Sequence, residues 1–190
     1  MKVYDISQES LHCEGFAGME PARSHRTEEL AKGADCNFTV MWQTAHNGTH
    51  VDAPCHFVQG GKSMEQVDIQ KFVGNCVLLG DRGVIDAAAA KRAVDTGHTR
   101  ILYKHDVEIS EEAAQVFAAG GRDLLGNPSP TVGPRSARQP VHRILLAKEV
   151  VLLEGIRAEQ VPEGEYLLCA APVVYQGADG GPCRAVLIQL

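Results

Sequence analysis

The sequence has few aromatic residues and no long apolar segment. Phenylalanine, tryptophan and tyrosine make up 5% of the 190 residues. No stretch approaches the roughly 18 to 20 consecutive apolar residues that a membrane-spanning helix needs. The first residues also lack the apolar region of a secretory signal. We therefore expect a cytoplasmic protein with no membrane partner.

Clustered positive charge and paired cysteines are also absent. The net charge is -6, and lysine and arginine are scattered, which argues against a nucleic-acid partner. The six cysteines form no CxxC pair, so free thiols are expected. The GxSxG elbow of serine hydrolases, the P-loop and the dinucleotide-binding fingerprint are missing. The sequence therefore gives no support to those classes of enzyme.

Length and patterning predict one α/β domain over residues 1–190. A hydrophobic fraction of 44% and a charged fraction of 22% are ordinary for a globular chain long enough to bury one core. Helices are expected after the capping residues Asp86 and Ser110. Apolar and β-branched segments predict strands at 3–6, 38–44, 73–79, 100–103, 124–125, 150–153, 166–171 and 184–189. Helices mixed with short strands indicate an α/β or α+β fold.

Two polar segments rich in turn-forming residues predict loops. Residues 9–33 are polar, glycine-rich and weakly periodic, and residues 126–140 are rich in proline, glycine and serine. Long loops in compact domains are often functional. A short helix is expected to follow the second loop, over residues 141–148.

The strongest motif is a run of three histidines and one aspartate within residues 46–56, in the pattern H-x3-H-x-D-x3-H. On an extended chain His46, His50 and Asp52 point to the same side. A straight strand would hold the two histidine Cα atoms about 13 Å apart, so we expect a bend, with Gly48 the residue best able to make it. Pro54 should end the strand and leave His56 in a loop at the rim.

These side chains suit a metal ion. Imidazole nitrogen and carboxylate oxygen bind zinc, manganese or iron, and one carboxylate can bridge two metals. The alternative is a set of unrelated polar residues in a surface loop. Cys55 is interpreted as a buried filler, because adjacent residues of an extended chain point to opposite faces and would separate its thiol from His56.

A second pair of candidates lies about ninety residues further on. Glu154 ends an apolar segment, and a buried carboxylate is costly unless it is paired or bound to metal. His142 precedes it by twelve residues. Taken alone, Glu154 is more typical of a salt-bridged strand end and His142 of a surface helix residue.

The run at 46–56 resembles the signature HxGTHxDxPxH of the cyclase-like metal hydrolases, the family of bacterial kynurenine formamidases. Asp5-Ile6-Ser7 resembles the family's opening strand, and residues 181–185 resemble its closing segment. The spacing of His142 and Glu154 is similar to that of its distal ligand pair. The resemblance implies a swivelling β/β/α domain that assembles as a homodimer or homotetramer.

The resemblance also implies the roles of individual residues. Asp52 and Glu154 would be shared between metals, and His56 would be the catalytic acid/base. Phe16 would replace a tryptophan of the family's substrate-binding loop. One or two divalent metals per chain are implied, zinc first and manganese second. The implied metal ligands are His46, His50, Asp52, His142 and Glu154.

These roles predict an amidohydrolase acting on a small-molecule amide. Metal-activated hydroxide would attack the carbonyl, and His56 would pass a proton to the leaving nitrogen. An aryl formamide such as N-formylkynurenine is the first expectation, and ring opening of a lactam or imide such as isatin is the second. His56 has an alternative role as a further ligand or as a hydrogen-bond donor to Asp52.

Two other classes of protein remain open. One is a family member that binds metal without catalysis. The other is a lyase or dehydratase that uses the same metals to activate a carbonyl. The products distinguish hydrolase from lyase, because hydrolysis adds water and releases an acid whereas a lyase leaves an alkene.

Overall fold

A computed structural model describes residues 1–13, 18–134, 136 and 138–189. Its three α-helices in these ranges are α1 (Ala87–Asp95), α2 (Glu111–Ala119) and α3 (Arg138–Leu146). Its strands are β1 (Lys2–Asp5), β2 (Arg23–Glu28), β3 (Phe38–Trp42), β4 (His50–Asp52), β5 (Val73–Leu79), β6 (Gly83–Ile85), β7 (Arg100–Tyr103), β8 (Val107–Ile109), β9 (Leu124–Asn127), β10 (Val151–Glu154), β11 (Gly164–Cys169), β12 (Gly180–Pro182) and β13 (Val186–Gln189).

Nine of these strands form one mixed sheet in the order β1-β13-β11-β5-β7-β9-β10-β4-β12. Its centre is parallel, with β5, β7, β9 and β10 side by side. Antiparallel strands flank the centre, β11 on one side and β4 on the other. The helices precede β7, β9 and β10 in the chain, as expected for crossovers between parallel strands. The predicted α/β class is confirmed.

The two faces of the sheet bury separate apolar clusters. Leu102 and Leu153 lie in one cluster, with Phe72 and residues of the antiparallel strands. Leu125 and Leu152 lie in the other, with Phe117 of α2 and residues of α1 and α3. Neighbouring residues of a strand enter different clusters because side chains alternate between faces. Each fully buried large apolar side chain stabilises the fold by about 1.5–3 kcal/mol.

The predicted helix caps are present. Asp86 accepts a hydrogen bond from the backbone N–H of Ala89 at 2.8 Å, and Ser110 accepts one from Ala113 at 3.2 Å. The third helix begins at Arg138, so the prediction of a loop through residue 140 is wrong at its end. Pro140 permits this earlier start because proline is tolerated in the first turn of a helix.

Two other local predictions are corrected. Residues 9–33 contain strand β2, which pairs with β3 in a separate two-stranded ribbon whose residues are all exposed. The strand predicted from residue 38 ends at Trp42, and β4 begins only at His50. The predicted bend is confirmed, because Gly48 has a φ of +64°. Within the described ranges no helix has the length and apolar content needed to cross a bilayer.

Candidate metal and catalytic site

Strands β4 and β10 bring the two halves of the site together. They pair antiparallel, with Leu152 opposite Asp52 and Glu154 opposite His50. Val51 enters the cluster on the far face, so His50 and Asp52 point to the face that carries α3. His142 reaches them from α3, which packs on that face. The connection through α3 thus brings together two sets of candidate ligands that lie about ninety residues apart in the sequence.

Four side chains form a buried group there. The Nε2 atom of His50 lies 3.5 Å from Asp52 Oδ1 and 3.5 Å from Glu154 Oε2. The Nε2 atom of His142 lies 3.3 Å from Glu154 Oε1 and 3.7 Å from Asp52 Oδ2. All four residues are at most 3% exposed. Two carboxylates this deeply buried need compensating positive charge.

Hydrogen bonds set the orientation of both imidazoles. The Nδ1 atom of His50 lies 3.0 Å from the carbonyl oxygen of Gly48, and that of His142 lies 2.9 Å from the carbonyl oxygen of Arg138. A carbonyl only accepts, so each Nδ1 carries the donated hydrogen, and in the neutral ring Nε2 presents a lone pair to the carboxylates.

A metal ion fits this donor set. Lone pairs of Nε2 facing carboxylate oxygens repel one another unless a cation lies between them. Asp52 Oδ2 is also buried and accepts no hydrogen bond from the described residues. One atom each of His50, Asp52 and Glu154 lies within 4.8 Å of the others, as do atoms of His46, Asp52 and His56. Imidazole with carboxylate suits zinc or manganese.

The pKa shifts of His50 and Asp52 also indicate that this buried group needs positive charge. Burial by itself would lower the pKa of His50, but the carboxylates of Asp52 and Glu154 outweigh it and raise the pKa to about 10. Burial opposes ionisation of Asp52, yet His46 and His50 hold its pKa well below the usual range. A metal ion would supply the charge that protons supply otherwise, and would displace them on binding.

His46 and His56 lie beside this group and share a carboxylate. The Nδ1 atom of His46 lies 2.8 Å from Asp52 Oδ1, and its Nε2 atom lies 3.0 Å from Asp179 Oδ2. His56 Nδ1 also lies 3.0 Å from Asp179 Oδ2. The two rings stack with centroids 4.0 Å apart. Burial would lower the pKa of His46, but its hydrogen bonds to Asp179 and Asp52 raise it to about 9.

The group opens into a small cleft of about 80 Å³. Phe57 lies against both His56 and His142, with ring centroids 4.4 Å and 4.6 Å away. Phe57 therefore forms an aromatic part of the cleft wall next to the candidate acid/base. Its wall consists of Met19, His46, His50, His56, Phe57, Pro130, Thr131, Arg138, His142 and Glu154.

The six residues predicted for metal binding and catalysis thus lie together, and Phe16 falls outside the described residues. Cys55, interpreted from sequence as a buried filler, is only half-buried; its thiol lies 3.7 Å from the carbonyl oxygen of Ala178, and burial raises the pKa of that thiol. Sequence reasoning missed Asp179, whose contact with His56 spans 123 residues. The one available signal was its position just before the segment that resembles the family's closing segment.

Comparison with known proteins identifies the family. A family model named Cyclase, with the description "Putative cyclase", matches residues 4–131. A kynurenine formamidase of Erythrobacter litoralis (strain HTCC2594) is 30% identical, and the alignment covers 87% of this chain and 83% of that protein. The chain therefore belongs to the cyclase family.

Solved structures agree with this fold. That of a potential metal-dependent hydrolase with cyclase activity has a TM-score of 0.78 at 26% identity, covering 98% of this chain and 96% of the other. Isatin hydrolase A from Labrenzia aggregata, bound to benzyl benzoate, has a TM-score of 0.82 at 17% identity, covering 100% and 94%. The second likeness concerns the fold alone. The predictions of family and fold are confirmed.

Proposed function

We propose that this protein hydrolyses an aryl formamide of the N-formylkynurenine type, releasing formate and the free aromatic amine. At the coarser level the chain is a metal-dependent hydrolase of a carbon–nitrogen bond outside peptides. The proposal depends most on one observation, the buried convergence of His50, Asp52, His142 and Glu154 beside His56. The class of substrate is supported by the relative named kynurenine formamidase.

Five residues would hold the metal ions. His50 and His142 would bind through Nε2, because their Nδ1 atoms lie against carbonyl oxygens. His46 would bind through Nδ1, which faces Asp52. Asp52 and Glu154 each have oxygens near more than one imidazole, so these two carboxylates would be the ones shared if two metals bind. Zinc is the first choice and manganese the second.

When bound, the metal ions would supply Lewis acidity that lowers the pKa of water and polarises the amide carbonyl. His56 lines the cleft and uses its Nδ1 atom to contact Asp179, so Nε2 is the nitrogen available for proton transfer. It would take a proton from the attacking water and return it to the leaving nitrogen. Phe57 would lie along the aromatic ring of the substrate and keep water away from that face.

The substrate test is hydrolysis of N-formylkynurenine by the purified, metal-loaded protein, with formate and kynurenine measured separately. The proposal predicts one formate for each kynurenine. Isatin is the contrasting substrate, because it also carries an aromatic amide but in a closed ring. Hydrolysis of isatin without hydrolysis of N-formylkynurenine would contradict the proposed formamide substrate and favour a cyclic amide instead.

We also propose that the protein forms a homodimer through the ribbon of β2 and β3. Phe38, Met41 and Trp42 are more than half exposed on it, and an isolated two-stranded ribbon is marginally stable in water. Strand β2 has Arg23 at one end and Glu28 at the other. Antiparallel pairing with the same strand of a second copy therefore places opposite charges together.

A further inference from the structure

Asp179 occupies a position between the candidate ligands and the candidate acid/base. A single oxygen, Oδ2, lies 3.0 Å from Nε2 of His46 and 3.0 Å from Nδ1 of His56. The residue is about half exposed, whereas Asp52 is almost fully buried. Its carboxylate therefore joins the two stacked imidazoles from the open side of the site.

The backbone holds Asp179 firmly against the metal-binding strand. The N–H of Ala53 donates to its carbonyl oxygen at 2.8 Å, and the next residue, Gly180, pairs with Asp52 across β12 and β4. A Cβ atom at Gly180 would lie 2.6 Å from Cε1 of His46, so glycine is what allows the ring to approach. These contacts fix the backbone of Asp179 beside both histidines.

A carboxylate in this position determines the role that each ring nitrogen of an imidazole can take. It accepts the hydrogen from one ring nitrogen, and so decides which nitrogen remains to bind a metal or to move a proton. For His56 the contact is at Nδ1, which leaves Nε2 for the substrate. For His46 the contact is at Nε2, which leaves Nδ1 for the position beside Asp52.

We propose that Asp179 is the positioning residue of this site, holding His56 with Nε2 toward the substrate and His46 with Nδ1 toward the metal position. The inference rests on the proposed function for the role of His56. It adds a residue that acts through the two histidines rather than on the substrate. Removing the carboxylate should therefore slow proton transfer more than it weakens substrate binding.

The kinetic test compares Asp179→Ala and Asp179→Asn in the metal-loaded protein. We expect Asp179→Ala to lower kcat by about 10- to 100-fold, the usual effect of removing a carboxylate that supports an active-site histidine, with KM nearly unchanged. Asparagine can still accept one hydrogen bond, so it should recover part of the loss. Asp95→Ala, on the exposed face of α1, is the matched control and should keep wild-type kcat.

A double-mutant comparison separates action through His56 from an independent effect. In the His56→Ala background, Asp179→Ala can act only through His46, so it should lower the remaining activity by a smaller factor than it does when His56 is present. Full multiplication of the two effects would overturn the proposal. So would loss of metal in Asp179→Asn to the extent seen in His46→Ala, since Asp179 would then be a ligand.

A spectroscopic measurement does not depend on the substrate. Long-range ¹H–¹⁵N spectra of the metal-loaded protein report which nitrogen of each imidazole carries hydrogen. We expect the Nδ1–H form of His56 in the wild type and a mixture of the two forms in Asp179→Ala. An unchanged His56 spectrum would contradict the positioning role even if no amide is hydrolysed. A changed spectrum without turnover would support the positioning role and reject the proposed substrate.

Discussion

At the scale of single residues, replacing His50 and replacing His56 should affect metal content and turnover differently. His50 faces two buried carboxylates, and His56 lies at the cleft and contacts Asp179. We predict that His50→Ala loses both metal and activity, whereas His56→Ala keeps its metal and loses about 10²- to 10⁴-fold in turnover. Plasma mass spectrometry and initial rates on the same preparations provide the measurement.

Leu30→Ala, an exposed substitution outside the site, serves as the control for handling and metal loading. Equal loss of metal in the His50 and His56 variants would contradict the prediction, because it would make His56 a ligand. Wild-type turnover in His56→Ala would remove its role in proton transfer.

At this scale, the sequence indicated which residues lie together only where the pattern is local. His46, His50, Asp52 and His56 fall within eleven residues, and their chemistry can be read from their spacing. His142 and Glu154 carried weak signals by themselves, and the resemblance to a family was needed to join them to the first group. Asp179 had no periodic or chemical signal, because its role arises only when β12 pairs with β4.

At the scale of secondary-structure elements, two turns must pack tightly for the site to form. Gly155 follows β10 with a φ of +72°, and a Cβ atom there would lie 2.4 Å from the carbonyl oxygen of Gly48. The carbonyl oxygen of Gly48 is also the partner of His50 Nδ1. A side chain at position 155 would therefore disturb both the turn and the orientation of a candidate ligand.

We predict that Gly155→Ala lowers the free energy of unfolding by about 2–4 kcal/mol, through backbone strain and steric overlap together. Gly83→Ala is the matched control, because Gly83 has the same φ of +72° but a Cβ atom there would meet no other atom within 4 Å. It should lose about 1 kcal/mol from strain alone. Urea unfolding of both metal-loaded variants measures the difference. Equal losses would show that packing against Gly48 is unimportant.

The elements themselves were predictable to different degrees for physical reasons. Strands β7 and β10 and the second half of β5 are apolar and are buried on both faces, and this composition predicts them from the sequence. Strand β2 is polar and fully exposed, so its composition resembles that of a loop. The short strand β12 reads Gly-Gly-Pro and exists through its pairing with β4 rather than through intrinsic preference.

At the scale of the whole molecule, the proposed dimer makes a prediction about charge. Arg23→Glu would place acidic side chains opposite each other where β2 meets its copy, so we expect the dimer to dissociate. The double variant Arg23→Glu with Glu28→Arg restores opposite charges and should restore the dimer. Light scattering coupled to size-exclusion chromatography measures the mass at matched concentrations.

Arg26→Glu, in the middle of the same strand, is the control that tests whether any change of charge on β2 dissociates the dimer. A monomeric wild-type protein would contradict the proposed assembly. A dimer that survives Arg23→Glu unchanged would show that the copies associate through another surface.

The most direct test of the central claim is the metal content of the purified protein, measured by plasma mass spectrometry before and after loading with zinc or manganese. The buried group of His50, Asp52, His142 and Glu154 predicts one to two equivalents per chain, lost in His50→Ala. Absence of bound metal under every loading condition would contradict the account, because those carboxylates would then depend on protonated histidines alone.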